Sequence, residues 1–233
     1  MMPYWYPPIL AYHRVHPVHT SDTPTLSPEV FEKQMRILSE RWKPIPLALL
    51  VSFLDGKTSI PRRGVAVTFD DGTDDVFTFA FPILKKYRIP ATIFMITNQM
   101  DKDGSLKKDE LLEMSRSGID IGSHTLGHAY LPSLTIEEAG RQISDSKKAL
   151  ETAGLPAKHF SYPAGGYSPA IVEAVRQAGY HSACTTNRGL HRFPIDRWAL
   201  RRVTMHGNVG SVFGMWLRCS GYYNLNKRLR SPA

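Results

Sequence analysis

The stretch Val65–Gly72, VAVTFDDG, runs apolar and β-branched until it stops at two adjacent acids and a glycine. Asp70 and Asp71 repel each other when both are ionised, and either one buried without a partner costs several kcal/mol. Some other group must hold them. A second stretch, Ser123–His128 (SHTLGH), sets His124 and His128 four residues apart directly after an apolar segment. On a helical turn i and i+4 share a face, so the pair is expected on such a turn, where two imidazoles can grip one ion. Two histidines and one carboxylate leave positions open on a divalent cation, the arrangement of a catalytic rather than a closed structural site. The two acids are then expected to divide their work. One ligates, and the other takes a proton from water held by the ion. Asp74 and Asp75 are expected instead to cap and charge the start of the next helix.

The elements that must position these residues show as short apolar runs alternating with helical patterns. Strands are expected at Pro8–His13, Gly64–Phe69, Ala91–Thr97, Ile119–Ser123, His159–Tyr162, Tyr180–Thr185 and Trp198–Thr204. Ser27, Pro28 and Glu29 form an N-cap, an N1 proline and a first-turn acid for a helix running to about Trp42. Asp74–Tyr87 is a second helix, with a kink or a later start at Pro82. Asp109–Arg116 is a third, Thr135 with Glu138 is a capping box for a fourth, and Ser168–Pro169 opens a fifth that stops at Gly179. This alternation is that of an α/β protein with a parallel sheet and helices outside it, either an open doubly wound sheet or a barrel. In both, chemistry collects at the carboxyl ends of strands. His13, Asp70, Asp71, His124 and the Pro163 region all fall there.

The 233 residues are expected to form one domain over 1–233, with a basic tail from about residue 206. At 42% hydrophobic and 21% charged, the chain has the balance of a globular protein rather than a disordered one. No apolar run approaches the roughly 20 residues of a membrane helix. The start, MMPYWYPPILAYHRV, has no basic n-region and no cleavage site, so a cytoplasmic or peripheral membrane location is expected. The net charge of +8 is uneven. Arg188–Ala233 holds nine Lys or Arg and one acid, while the remainder is neutral. A basic end closing on NKRLRSPA suits an anionic membrane or glycan. No zinc-finger spacing or RNA-binding aromatic motif accompanies it, so nucleic acid is disfavoured. Cys184 and Cys219 are expected as ordinary thiols.

TFDDG (Thr68–Gly72), SHTLGH (Ser123–His128) and SYPAGG (Ser161–Gly166) resemble the first three motifs of the polysaccharide deacetylases, the NodB-homology enzymes of carbohydrate esterase family 4. The resemblance extends over roughly Ile9 to Met205. It implies a distorted (β/α)7 barrel and removal of N-acetyl groups from N-acetylhexosamine units of a polysaccharide or glycan precursor. It makes Asp71, His124 and His128 the ligands of a divalent metal, Zn²⁺ foremost, with Co²⁺ or Ni²⁺ as alternatives, and Asp70 the catalytic base. The third motif usually reads R-x-P-Y; here it is Ser161-Tyr162-Pro163-Ala164, and the arginine that supports the base is missing. Arg202 is the nearby candidate to replace it, with Arg201 less favoured. The oxyanion-binding N–H after the proline passes to Ala164, since a backbone donor needs no particular side chain. AYHRV resembles the permuted branch of the family, which acts on β-1,6-linked poly-N-acetylglucosamine, and there His13 becomes the general acid. Tyr162, Tyr167 and Trp198 are candidates for stacking on sugar rings, or for packing. Two alternatives stay open. The same site could hydrolyse a small non-sugar amide, or the missing arginine could mark an inactive glycan-binding domain.

Overall fold

Strands that lack polar alternation need apolar cover on both faces. Gly64–Phe69 buries all six of its residues and Ala91–Met95 all five. Each buried Val, Ile or Phe among them contributes on the order of 1.5–3 kcal/mol. The computed structural model describes residues 6–18, 23–186, 195–206 and 209–220. In chain order it contains β1 (Ile9–Tyr12), β2 (Arg14–Val15), β3 (Thr25–Leu26), α1 (Pro28–Arg41), β4 (Lys43–Pro44), α2 (Leu47–Leu54) and β5 (Gly64–Phe69). There follow α3 (Phe81–Tyr87), β6 (Ala91–Met95), α4 (Lys108–Arg116), β7 (Asp120–Ser123), α5 (Ile136–Thr152) and β8 (His159–Ser161). The last elements are α6 (Pro169–Gln177), β9 (Ser182–Thr185), β10 (Leu200–Arg201), β11 (Val203–Thr204) and α7 (Val212–Cys219).

The main sheet is parallel, in the order β10-β9-β8-β7-β6-β5-β1-β11. Its two outer strands are consecutive in the chain. Leu200 and Arg201 pair with Cys184 and Thr185 of β9, while Val203 and Thr204 pair with Leu10 and Ala11 of β1. The segment Leu200–Thr204 therefore closes the sheet on itself. Counted once, it makes seven staves, the distorted (β/α)7 barrel of the NodB-homology type, and Arg202 stands at the changeover. β4 pairs with the start of β5 outside the ring, and β2 and β3 form a separate parallel pair.

Several elements differ from expectation for physical reasons. The helix expected from Asp74 does begin there, but it widens into a π-turn over Val76–Ala80, with the Phe81 N–H donating to Val76 O, before α-helical bonding resumes at Phe81. Pro82 carries no N–H to donate, so the regular ladder cannot run through it. The expected strand Trp198–Thr204 splits at Arg202. Helices α2 and α7 are additional. The sequence of α2, LALLVSFL, has no polar face or side-chain cap to mark it. The capping box holds as drawn, with Thr135 Oγ1 accepting from Glu138 N and Glu138 Oε2 from Thr135 N. Cys184 and Cys219 are free and buried. None of the described helices is long and apolar enough to cross a membrane. Of the expected basic tail, α7 is described, and the NKRLRSPA end lies outside the described residues.

Gly122 sets the spacing of β7 against its neighbours. A Cβ there would lie 2.6 Å from His159 O and 2.8 Å from the Phe94 ring. Gly122→Ala should therefore lower stability by about 1–3 kcal/mol, the scale of core overpacking, measured as a shift in the urea midpoint.

Candidate active site

The TFDDG segment leaves the sheet by a tight reversal. Asp70 N–H still donates to Tyr12 O (3.0 Å), continuing the β1 pairing, and then Gly72 N–H turns back onto Asp70 O (2.9 Å). Asp71 and Gly72 both take positive φ, 72° and 70°. At Gly72 this is easy, and a side chain has no room, because a Cβ would fall 2.2 Å from Met95 Sδ. The reversal separates the two acids. Asp70 is 1% exposed, whereas Asp71 is half-buried beside the histidines.

Asp70 meets Arg202 edge to edge. Nη1 donates to Oδ1 (2.7 Å) and Nη2 to Oδ2 (2.6 Å). Nη2 also donates to Ser161 Oγ (2.8 Å) and Nη1 to Thr68 Oγ1 (3.2 Å). The guanidinium, itself buried, lies 5.5 Å from the centre of the Phe94 ring. Burial alone would raise the Asp70 carboxyl. Arg202 overrides it and holds the group well below the usual carboxylate range. Successive strand residues face opposite sides, so turning Arg202 inward leaves Arg201 on the other face, where it is half-buried.

His124 follows β7 and is buried. Its Nδ1 lies 2.8 Å from Ser161 O. A carbonyl only accepts, so Nδ1 carries the proton and Nε2 keeps its lone pair. Burial pushes the imidazole pKa down and favours this neutral form. Asp71 Oδ1 lies 3.6 Å from His124 Nε2 and 3.5 Å from His128 Nε2. Donors about 2.1 Å from a tetrahedral ion stand about 3.4 Å apart, so the spacing suits a shared cation better than a direct hydrogen bond.

The histidine pair is not on a helical turn. Leu126 and Gly127 donate their N–H groups to Gln142 O and Gln142 Oε1 of α5 rather than to carbonyls one turn back. Thr125 and His128 take positive φ, 69° and 59°, and Thr125 Oγ1 accepts the His128 N–H (2.9 Å). The rings still meet, with centroids 4.9 Å apart. Among the described residues, seven non-glycine positions have positive φ, and Asp71, Thr125, His128 and Ala164 are four of them. Strain gathered in this way marks a site where local geometry is imposed by its surroundings.

The third loop follows β8. Pro163 is buried and Ala164 exposed, with φ 51°. Thr186 Oγ1 donates to Ala164 O (3.0 Å) and Thr185 Oγ1 to Gly165 O (2.8 Å), which fixes two successive peptides of the loop. Tyr162 does not serve as a sugar platform. Its side chain is fully buried, its hydroxyl donates to Trp198 O (3.0 Å), and its ring stacks on Tyr167. Tyr167 and Trp198 are themselves packed against the core.

His13 follows directly after β1, and Asp70 directly after β5, beyond the paired Tyr12 and Phe69. Its Nδ1 is buried and, among the described residues, has no hydrogen-bond partner. Asp75 is a residue that sequence reasoning assigned differently. It does not cap a helix. Its buried carboxylate accepts from Arg14 Nε (2.5 Å), Thr73 Oγ1 (2.8 Å) and, at longer range, Val15 N (3.5 Å). It thereby ties the chain just after His13 to the chain just after Asp71. Nothing in the TDD spelling separates such an anchor from an ordinary helix-start acid.

The match to known proteins agrees with this fold. The sequence signature of the family described as Polysaccharide deacetylase covers residues 57–183. YxkH of Bacillus subtilis, assigned to the polysaccharide deacetylases, is 33% identical over 216 residues, covering 90% of this chain and 75% of YxkH. The chain belongs to the polysaccharide deacetylase family, whose members hydrolyse amide bonds. A poly-β-1,6-N-acetyl-D-glucosamine N-deacetylase of Staphylococcus epidermidis is 43% identical over 75 residues, 30% of this chain and 26% of that protein. The fold matches that of the Streptococcus pyogenes deacetylase PplD, solved in complex with acetate, with a TM-score of 0.85 at 24% identity over 91% of this chain and 97% of PplD.

Removing the guanidinium while Asp70 stays buried strands a charge. Arg202→Ala should cost about 3–5 kcal/mol in denaturant unfolding. Arg202→Lys should recover only part of it, because an ammonium cannot make the two-point grip. Asp70 is held below its unfolded pKa of about 3.9. Its stabilisation is therefore complete above that pH and is lost as the pH falls below it. Wild-type stability should drop more steeply below about pH 4 than that of Asp70→Asn.

Proposed function

We propose that the chain is a metal-dependent hydrolase that removes acetyl groups from N-acetylhexosamine units of a polysaccharide or glycan precursor. The observation that carries this is an Asp71–His124–His128 cluster, its donor atoms within 4.8 Å of one another, one residue away from an arginine-clamped aspartate. The donor set fits a divalent cation. It offers two imidazole nitrogens and a carboxylate oxygen, and the buried imidazole already has its far nitrogen tied to a carbonyl. Such a set takes Zn²⁺ first and Co²⁺ or Ni²⁺ as alternatives. When bound, the ion supplies charge that polarises an amide carbonyl and lowers the pKa of a water from about 15.7 towards 7.

The chain's own groups do the rest. Asp70, kept ionised and oriented by Arg202, accepts the proton of the attacking water on a lone pair the guanidinium leaves open. The Ala164 N–H donates to the oxygen that gains charge as water adds to the acyl carbon. His13 gives a proton to the sugar nitrogen as the C–N bond breaks, so that acetate and an amine depart. Arg202 on Asp70 favours this reading over an inactive binding domain, because it fills the role left open at Ser161. The short match to the poly-β-1,6-N-acetyl-D-glucosamine N-deacetylase favours a glucosamine-type polymer over a small amide.

Acetate release from acetylated amino-sugar oligomers and from cyclic amides, with metal content measured after dialysis, tests the assignment. Asp71→Ala should lose the metal. Asp70→Asn and His13→Ala should each keep it and lose about 10²–10⁴ in kcat, the range of general acid–base catalysis. Metal loss in Asp70→Asn, full turnover in His13→Ala, or hydrolysis of cyclic amides alone would overturn it.

A further inference from the structure

We propose that Tyr130 is a sugar-binding platform, an aromatic face that seats a pyranose ring of the substrate beside the reacting acetamide; this rests on the reading of the site as a glycan deacetylase. Tyr130 lies two residues beyond His128. Its ring lies across the backbone of Gly166, two residues beyond Ala164. A Cβ at Gly166 would come 2.3 Å from Tyr130 Cε2 and 2.9 Å from both Tyr130 Cζ and Pro132 Cγ. Gly166 has an ordinary extended backbone, with φ −79°, so the glycine there provides space for the ring rather than an unusual torsion.

The Cε2–Cζ edge of the ring lies against Gly166, and the residue as a whole stays partly exposed. Tyr130 O accepts from Ser133 N (3.0 Å) and Ser133 Oγ (2.7 Å), fixing the residue at the start of the 3₁₀ turn Leu131–Ser133. Even so, Tyr130 remains 44% exposed. Among the described residues, the other large apolar side chains this exposed are Val18, Ile136, Val212, Phe213 and Trp216. Tyr130 alone of these belongs to the loop between the proposed metal ligand His128 and α5, against the loop of the proposed oxyanion donor. Tyr162, Tyr167 and Trp198, which the sequence offered for stacking, are taken up by packing. A pyranose carries an apolar C–H face that matches an aromatic ring, and a ring already immobilised loses little entropy when it binds. The chemical class recognised is therefore a hexosamine unit of an oligomer, gripped through its ring face rather than through its hydroxyls.

The test is steady-state kinetics of the metal-loaded enzyme on N-acetylglucosamine oligomers, joined to calorimetric binding of the same oligomers in an Asp70→Asn background. Tyr130→Ala should raise KM, and weaken binding, by about tenfold, the upper end for an aromatic contact, and the loss should fall on KM rather than on kcat. Tyr130→Phe should behave as wild type, because the ring carries the contact. Unchanged KM and binding in Tyr130→Ala, a Tyr130→Phe variant as weak as Tyr130→Ala, or no oligomer binding in the Asp70→Asn background would overturn the platform. Tyr130-dependent oligomer binding by a wild-type enzyme that releases no acetate would uphold the platform and reject the deacetylase reading instead.

Discussion

A carboxylate as enclosed as Asp70 stays ionised only where a cation meets it, and here the cation comes from the segment that closes the barrel. Arg202 reaches Asp70 because Leu200–Thr204 pairs with β9 on one side and with β1 on the other. Asp70 is within reach because β5 lies against β1, in a register that its own N–H extends by one bond to Tyr12. A slip of one residue in the closing segment would turn Arg201 inward and Arg202 out. Barrel closure and the charge state of the proposed base are thus a single constraint. The uncharged alternative, a well-packed apolar pair, would hold the barrel at least as well, so stability alone gives no reason for the ion pair to be there.

Ser161 joins this clamp to the histidines. Its carbonyl accepts a hydrogen bond from His124 Nδ1–H and its hydroxyl accepts one from Arg202. Ser161 thus touches both the cation that meets Asp70 and the imidazole of His124, so one small residue of β8 couples the two parts of the site.

Much of this was legible in the sequence where one force dominates. β5 and β6 stood out because strands covered on both faces carry nothing polar, and the acids stood out because they break that rule. Arg202 was named only through the family resemblance, whose third motif lacks its arginine here, and no local pattern separated it from Arg201. The loop geometry was hidden. His124 and His128 have helical spacing, yet their turn is set by Gln142, a residue of α5 whose approach no local pattern announces. Asp75 carries the same spelling as a helix-start acid and differs only in what the fold brings to it. Tyr162 looked available because it follows a strand, but the space between β8 and the Trp198 segment encloses it. Tyr130 had no signal, since its position depends on the absence of a side chain at Gly166.

The four strained positions also say how the site is held. Residues with left-handed backbone of this kind cost about 1–3 kcal/mol each, a sum comparable with the 5–15 kcal/mol by which a typical domain is stable. Such a set persists only if every loop is bonded from outside itself. That is what is seen: Gln142 holds the histidine loop, Thr185 and Thr186 hold the Ala164 loop, and Arg14 with Asp75 joins the His13 strand end to the aspartate loop. Under the proposed function a divalent cation would add a further tie between the aspartate and histidine loops, stabilising the folded chain by binding it alone. Two of the three positions that would hold the ion, Asp71 and His128, would then be among those the fold holds least easily without it.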